Sequence, residues 1–168
     1  MKIDDKNILE MDTNYDGTNN FICSAGGDMK TTAVTQLKKL DAKDKTVIIT
    51  EPYLFQIGTD QSYGNDLKDI LLSLEAKTII WCSGKSETAL YNSINTDLSA
   101  NGCTLVHNRT LNDCHDRFWY CIENNKAVVF GTSLNGLCRK ICRVDELTSQ
   151  EANELKSELI NRNVIQSN

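Results

Sequence analysis

The sequence predicts an α/β domain built on a mixed sheet, part parallel and part antiparallel, with helices on both faces. Three observations carry that expectation. Between residues 29 and 107, stretches with apolar residues at helical spacing alternate with short β-branched runs, the rhythm of parallel strands joined through helices. From residue 117 the rhythm changes to two apolar runs flanking a short polar turn, which reads as an antiparallel hairpin. The chain has 168 residues, 40% hydrophobic and 24% charged, the size and make-up of one ordinary globular domain rather than of a disordered chain. A chain of this length buries roughly 70% of the surface its unfolded form exposes, so its core requires neither metal nor disulfide.

Residues 1–28 read as a polar N-terminal segment, partly ordered, ahead of a single domain over 29–168. Within that segment Asp12–Asn20 has the composition of a turn; it resembles a calcium loop only superficially, without the second half or the terminal glutamate at the required offset. Gly26-Gly27-Asp28 reads as a loop-to-helix junction, since no Lys-Ser/Thr follows to make a phosphate loop. Met29–Leu40 is a helix with Val34, Leu37 and Leu40 at helical spacing and Lys38-Lys39 in its last turn. Thr46–Thr50 is a strand whose pairing Pro52 ends, and Tyr53-Leu54-Phe55 leads into a loop through Gly58 and Gly64. Asn65 is expected to cap a helix with Leu67, Ile70, Leu71 and Leu74 on one core-facing stripe. Thr78–Cys82 is a buried strand, followed by a turn at Gly84–Ser86 with a serine cap and a helix over Glu87–Ala100 that Asn101-Gly102 stops. Cys103–His107 is the next strand. Arg117–Ile122 and Ala127–Gly131 form the hairpin about the turn Glu123–Lys126. A loop over Leu134–Lys140, a strand over Ile141–Val144 and a closing helix over Thr148–Asn161 complete the chain.

The formal net charge of −5 and a pI near 5.0 argue against a protein that coats nucleic acid non-specifically, while leaving room for a local basic cleft. No apolar run approaches the roughly 20 residues of a bilayer span, and the opening Met1–Lys6 lacks a signal-peptide core, so a soluble, cytoplasmic protein is expected. Seven cysteines, an odd number with no Cys-x-x-Cys spacing, read as reduced, buried thiols. Cys138 and Cys142 are four apart but have no second pair with which to hold zinc, and neither a metal nor a cofactor is expected.

The candidate chemistry gathers at the hairpin. Of two histidines, His107 ends a strand, and His115 sits in the polar turn Asn112-Asp-Cys-His-Asp-Arg117. His115 and Arg117 are two apart at the head of a strand, which puts their side chains on one face. A hairpin folded about Asn124-Asn125 returns Thr132, Ser133 and Asn135 beside them. An imidazole, a guanidinium, hydroxyls and an amide in one pocket suit an oxyanion or phosphate. Glu51, at the end of its strand, is placed to orient His115 or Arg117, and Tyr53 and Phe55 are candidates for the cleft wall. Arg139-Lys140 and Arg143 make only a modest cluster, read as a solvated face.

On these residues, His115-Asp-Arg-Phe-Trp followed by Gly131-Thr-Ser-Leu-Asn-Gly, with Glu51-Pro-Tyr-Leu-Phe after the upstream strand, the sequence resembles the phospholipase D superfamily in a single-motif form. The resemblance spans roughly residues 29–147, with a specific part confined to the hairpin region, and it implies a phospholipase D-like fold. The family pattern is His-x-Lys, four residues, Asp, then a Gly/Ser-x-Asn element, and its chemistry is phosphoryl transfer through a phosphohistidine. By that resemblance His115 would be the nucleophile, Arg117 stands at the lysine position, and Ser133 and Asn135 match the phosphate-holding serine and asparagine, with Thr132 beside them. The motif is degenerate. Arginine replaces lysine, Ile122 occupies the aspartate position with Glu123 one residue off register, and the histidine-to-asparagine spacing is a few residues longer, an excess the Asn124-Asn125 turn absorbs. Asp116 is expected to be aimed away by strand alternation.

The covalent mechanism needs a second histidine to protonate the leaving oxygen, which in the family a second copy of the motif supplies. This chain has one copy, so activity as a metal-independent phosphodiesterase or nuclease implies a homodimer with the two His115 side chains facing each other across a two-fold axis. The leading expectation is instead a binding domain. It would hold phosphate or phosphodiester groups, from nucleic acid or a lipid head group, or a protein partner in a larger multi-component system such as a bacterial defence complex. A third reading makes 115–135 a plain hairpin with Phe118 and Trp119 in the core.

Overall fold

The structure is a computed structural model that describes residues 8–11, 20–23, 25–56 and 62–166. Its strands are β1 (Ile8–Met11), β2 (Asn20–Cys23), β3 (Thr46–Ile49), β4 (Thr78–Cys82), β5 (Thr104–Asn108), β6 (Arg117–Cys121), β7 (Lys126–Phe130) and β8 (Cys142–Glu146); its helices are α1 (Met29–Leu37), α2 (Tyr63–Ser73), α3 (Ala89–Ala100) and α4 (Ser149–Asn161). The strands form one sheet in the order β1-β2-β8-β7-β6-β3-β4-β5. The pairs β3–β4 and β4–β5 are parallel, joined through α2 and α3, and the others are antiparallel. The mixed α/β sheet expected from the alternation is what forms.

Strand alternation sorts the side chains into two cores. Val47 and Ile49 of β3, Trp81 of β4, Trp119 and Cys121 of β6 and Phe130 of β7 face α1, α2 and α3. Leu67, Ile70 and Leu71 of α2 are at most 1% exposed in that layer, each worth roughly 1.5–3 kcal/mol of burial. Ile48 of β3, Tyr120 of β6 and Ala127 of β7 face the other way, onto Leu159 of α4. Helices therefore cover both faces, as the composition of the strands requires: a strand apolar on both sides, such as Thr46–Ile49, must be covered twice. Among the described residues no helix is long and apolar enough to cross a membrane.

Several boundaries differ from the sequence reading for tertiary reasons. α2 begins at Tyr63 rather than at an Asn65 cap: the N–H groups of Asn65 and Asp66 bond to the Ser62 carbonyl, and Tyr63 is buried with its hydroxyl donating to the Leu54 carbonyl. α3 is capped by Thr88 rather than by Ser86; the Thr88 hydroxyl accepts the Tyr91 N–H and donates to the Phe55 carbonyl at 2.7 Å, a tertiary bond no local pattern encodes. Asp28 caps α1 through the Thr31 N–H, which makes Gly26-Gly27-Asp28 the junction expected of it. α4 opens with a capping box between Thr148 and Glu151. Ile8–Met11, inside the polar and partly ordered segment expected over 1–28, pairs with β2, which in turn pairs with β8. The turn-like residues 12–19, with their calcium-loop resemblance, lie outside the described residues.

Candidate functional site

The carboxyl ends of β3 and β4, the start of β6 and the end of β7 meet at one edge of the sheet, the position where open α/β sheets bind ligands. The local pairing there is set by Thr50. Its N–H donates to the Phe118 carbonyl, and its hydroxyl accepts the Phe118 N–H and donates to the Asp116 carbonyl, each at 2.9 Å. The β3–β6 pairing thus runs one residue past Ile49↔Trp119, to Thr50 and Phe118, and the charge of Arg117 acts on the next residue, Glu51.

Glu51 is fully buried and held at three points. Its backbone carbonyl accepts the Trp81 indole N–H at 2.8 Å and the Leu54 N–H at 3.3 Å, and its Oε1 accepts the Leu134 N–H at 2.7 Å. The last bond ties the carboxyl to the segment Ser133–Gly136, which makes a single 3-10 turn. Burial pushes the Glu51 carboxyl up to about 7, against the opposing pull of the Leu134 N–H and the Arg117 charge. Among the described residues its Oε2 has no partner, and neither do the buried Arg117 Nε, Asn135 Oδ1 and Trp119 Nε1. Thr132, Ser133 and Asn135 are half-buried. Gly136 allows this turn its tightness, since a Cβ there would stand 2.6 Å from the Thr132 hydroxyl.

The structure therefore brings together Glu51, Arg117 and the Thr132–Asn135 segment. His115 is exposed in the segment leading into β6. β6 begins at Arg117, so the alternation that aims Arg117 does not reach back to His115. Glu123 is not part of this cluster. It lies in the hairpin turn at the far end of β6, roughly 20 Å from Arg117 at ~3.3 Å per strand residue, where its carboxylate accepts the Thr46 N–H. Phe55 is core rather than cleft wall, in edge contact with Trp81 and Tyr91, whereas Tyr53 is 47% exposed with Lys85 above its ring.

Two supporting residues escaped the sequence reading. The His107 ring stacks on Trp81 at 4.3 Å and places Nε2 against the Ser83 carbonyl and Nδ1 against Glu87. Trp81 in turn holds the Glu51 carbonyl, so this stack props the site from behind. The available signal was position: Trp81 and His107 are register partners near the carboxyl ends of adjacent parallel strands. A groove of about 790 Å³ opens on the opposite face beside α4, but seven carboxylates line it against Arg143 and Arg162. Asp116 belongs to that groove, aimed away from Arg117 as expected. Among the described residues no group of three or more His, Cys, Asp or Glu side chains is placed to hold a metal ion.

No protein-family model matches the sequence, and no curated protein matches it. Solved structures do. Polyphosphate kinase from Porphyromonas gingivalis superposes with a TM-score of 0.54 at 7% identity, covering 88% of this chain and 26% of the kinase. Nuc from Salmonella typhimurium, a phospholipase D family member, superposes with a TM-score of 0.52 at 8% identity, covering 86% of this chain and 93% of Nuc. The chain thus spans about a quarter of the kinase and most of Nuc. The likeness is one of fold: the architecture is phospholipase D-like.

Proposed function

We propose that the protein binds a phosphate or phosphodiester group where β3, β6 and β7 meet, with Arg117 as anion anchor and Thr132, Ser133 and Asn135 as neutral partners. One observation carries this reading. Arg117 Nε, Asn135 Oδ1 and Glu51 Oε2 are buried polar atoms from three separate segments, and among the described residues no group bonds to any of them. Buried polar atoms are satisfied in the great majority of cases, so three left over at one junction suit a polar ligand. A guanidinium supplies the charge and forked donors an oxyanion takes, and the amide and hydroxyls add donors without charge. The fold likeness to Nuc and to a polyphosphate kinase, both named for phosphate chemistry, supports the same ligand class.

A second reading is hydrolysis of a phosphodiester through a phosphohistidine at His115 in a homodimer. It is favoured by the exposure of His115 two residues from Arg117, open to a substrate and to a second copy. One set of measurements separates the two. Dimethyl phosphate and inorganic phosphate are titrated by NMR, and a chromogenic phosphodiester is incubated in EDTA, for the wild type, Arg117→Ala and His115→Ala. Binding that Arg117→Ala weakens at least tenfold, with no turnover, supports the binding domain. Metal-independent turnover lost in His115→Ala, in a protein that light scattering shows to be a dimer, supports the enzyme. No binding and no turnover would remove both.

A further inference from the structure

We propose that Glu51 and the bound phosphate share a single proton: the site takes a phosphate that carries its own proton directly, and takes a phosphodiester only together with a proton from solution. This rests on the phosphate-binding reading above and names the ligand class and the regulation of that site.

The argument is one of donors and acceptors. Glu51 cannot swing away, because its carbonyl is held by Trp81 and Leu54 and its Oε1 by the Leu134 N–H. Among the described residues Oε2 is left without a partner, within reach of the Arg117 charge and beside the segment that carries Asn135. An oxyanion held by the Arg117 guanidinium and by the N–H groups of the Asn135 amide comes up against that oxygen. Two oxygens meeting as acceptors repel in a dry site unless a proton lies between them. Hydrogen phosphate, or a phosphomonoester monoanion, brings a P–OH that donates to the ionised carboxylate. A phosphodiester has only acceptor oxygens at neutral pH, so the carboxylate must first take up one proton and then donate it; no covalent bond is made or broken.

The charged and titratable groups that act on Glu51 are few. Arg117 on β6 favours its ionised form, and burial opposes that more strongly. Burial raises the pKa of Tyr63 on α2 and the Glu51 charge raises it further, so it stays a neutral hydroxyl bonded to the Leu54 carbonyl. Trp81 on β4 contributes an uncharged indole. Proton exchange at about 7 puts the switch in the neutral range.

The test measures affinities of dimethyl phosphate, sulfate and hydrogen phosphate between pH 6 and pH 9 by NMR titration. Dimethyl phosphate and sulfate, which carry no proton, are expected to weaken about tenfold per pH unit above the Glu51 titration, while hydrogen phosphate does not follow that slope. In Glu51→Gln the amide supplies a permanent donor, so the diester profile becomes flat and hydrogen phosphate loses its advantage. His115→Asn removes the imidazole two residues from Arg117 and must keep the slope. A flat diester profile in the wild type, or an unchanged slope in Glu51→Gln, overturns the proposal. The comparison of sulfate with hydrogen phosphate needs only the wild type, so it decides the matter even where the variant fails to fold. Binding of none of the three at pH 6, or binding indifferent to Arg117→Ala, overturns the phosphate site itself together with the proposal.

Discussion

Glu51→Gln also probes the fold without any ligand. Glu51 is fully buried, and burial lifts its carboxyl from the usual 4.5 to about 7. Below 4.5 the group is protonated in the folded and unfolded chain alike and its titration leaves stability unchanged. Between 4.5 and about 7 the unfolded chain releases the proton while the folded chain keeps it, so stability falls as pH rises. Above about 7 the folded carboxyl ionises too and the loss is complete. At 1.36 kcal/mol per unit this difference amounts to about 3 kcal/mol, a large share of the 5–15 kcal/mol that holds a typical domain together. Glutamine keeps an oxygen for the Leu134 N–H and cannot ionise. Urea denaturation of both proteins at pH 4.5 and at pH 8 therefore has a definite expectation: relative to wild type, Glu51→Gln gains about 3 kcal/mol on going to the higher pH. All other titrating groups are common to both proteins. A stability gap that is equal at the two pH values would refute the burial argument and with it the constraint on Oε2.

Three further outcomes are expected. Gly131→Ala should destabilise by about 1–3 kcal/mol in thermal melts, because the new Cβ would meet the Arg143 carbonyl at 2.9 Å, and backbone cannot step aside as a side-chain tip can; an unshifted melt would show that β7 and β8 separate freely there. His107→Phe keeps a ring against Trp81 but leaves the buried Ser83 carbonyl without its side-chain partner, for a loss of about 1–3 kcal/mol in denaturant titrations; an equally stable variant would mean that stacking alone supports Trp81. Of the seven thiols, half-buried Cys114 should label first with a maleimide and the buried six slowly, Cys23 included, whose pKa burial pushes up to about 12. Cys114→Ser should abolish the fast phase, and a fast phase that survives would contradict the packing of the β2–β8 region.

The predicted hairpin illustrates what is legible locally. Arg117–Cys121 and Lys126–Phe130 pair as the alternation requires, because two apolar runs one turn apart close at little entropic cost and each slip in register would exchange buried and exposed faces. The same locality explains why Arg117 and the Thr132–Asn135 segment could be placed together from the sequence. Locality also explains the failures. Thr88 and Tyr63 start their helices because of bonds to Phe55 and Leu54, residues far enough away in sequence that no cap pattern contains them. Glu123 sits one residue from the aspartate position of a familiar motif, yet its strand carries it to the opposite end of the sheet.

By itself, then, the sequence determined the mixed α/β sheet, the helix on each side of it and the hairpin that carries Arg117, all consequences of side-chain periodicity over short stretches. Only the tertiary structure decided how Glu51 joins the hairpin residues at that edge. It set β3 between β4 and β6, which placed Glu51 within reach of the Arg117 charge and under the Leu134 N–H. It also stacked His107 on Trp81 behind them. These are contacts between residues tens of positions apart, and they arise because burying both faces of β3 carries its carboxyl end, Glu51 included, into the protein interior. A glutamate that the sequence offers only as an orienting group thereby becomes a buried carboxyl with one oxygen bonded and one free.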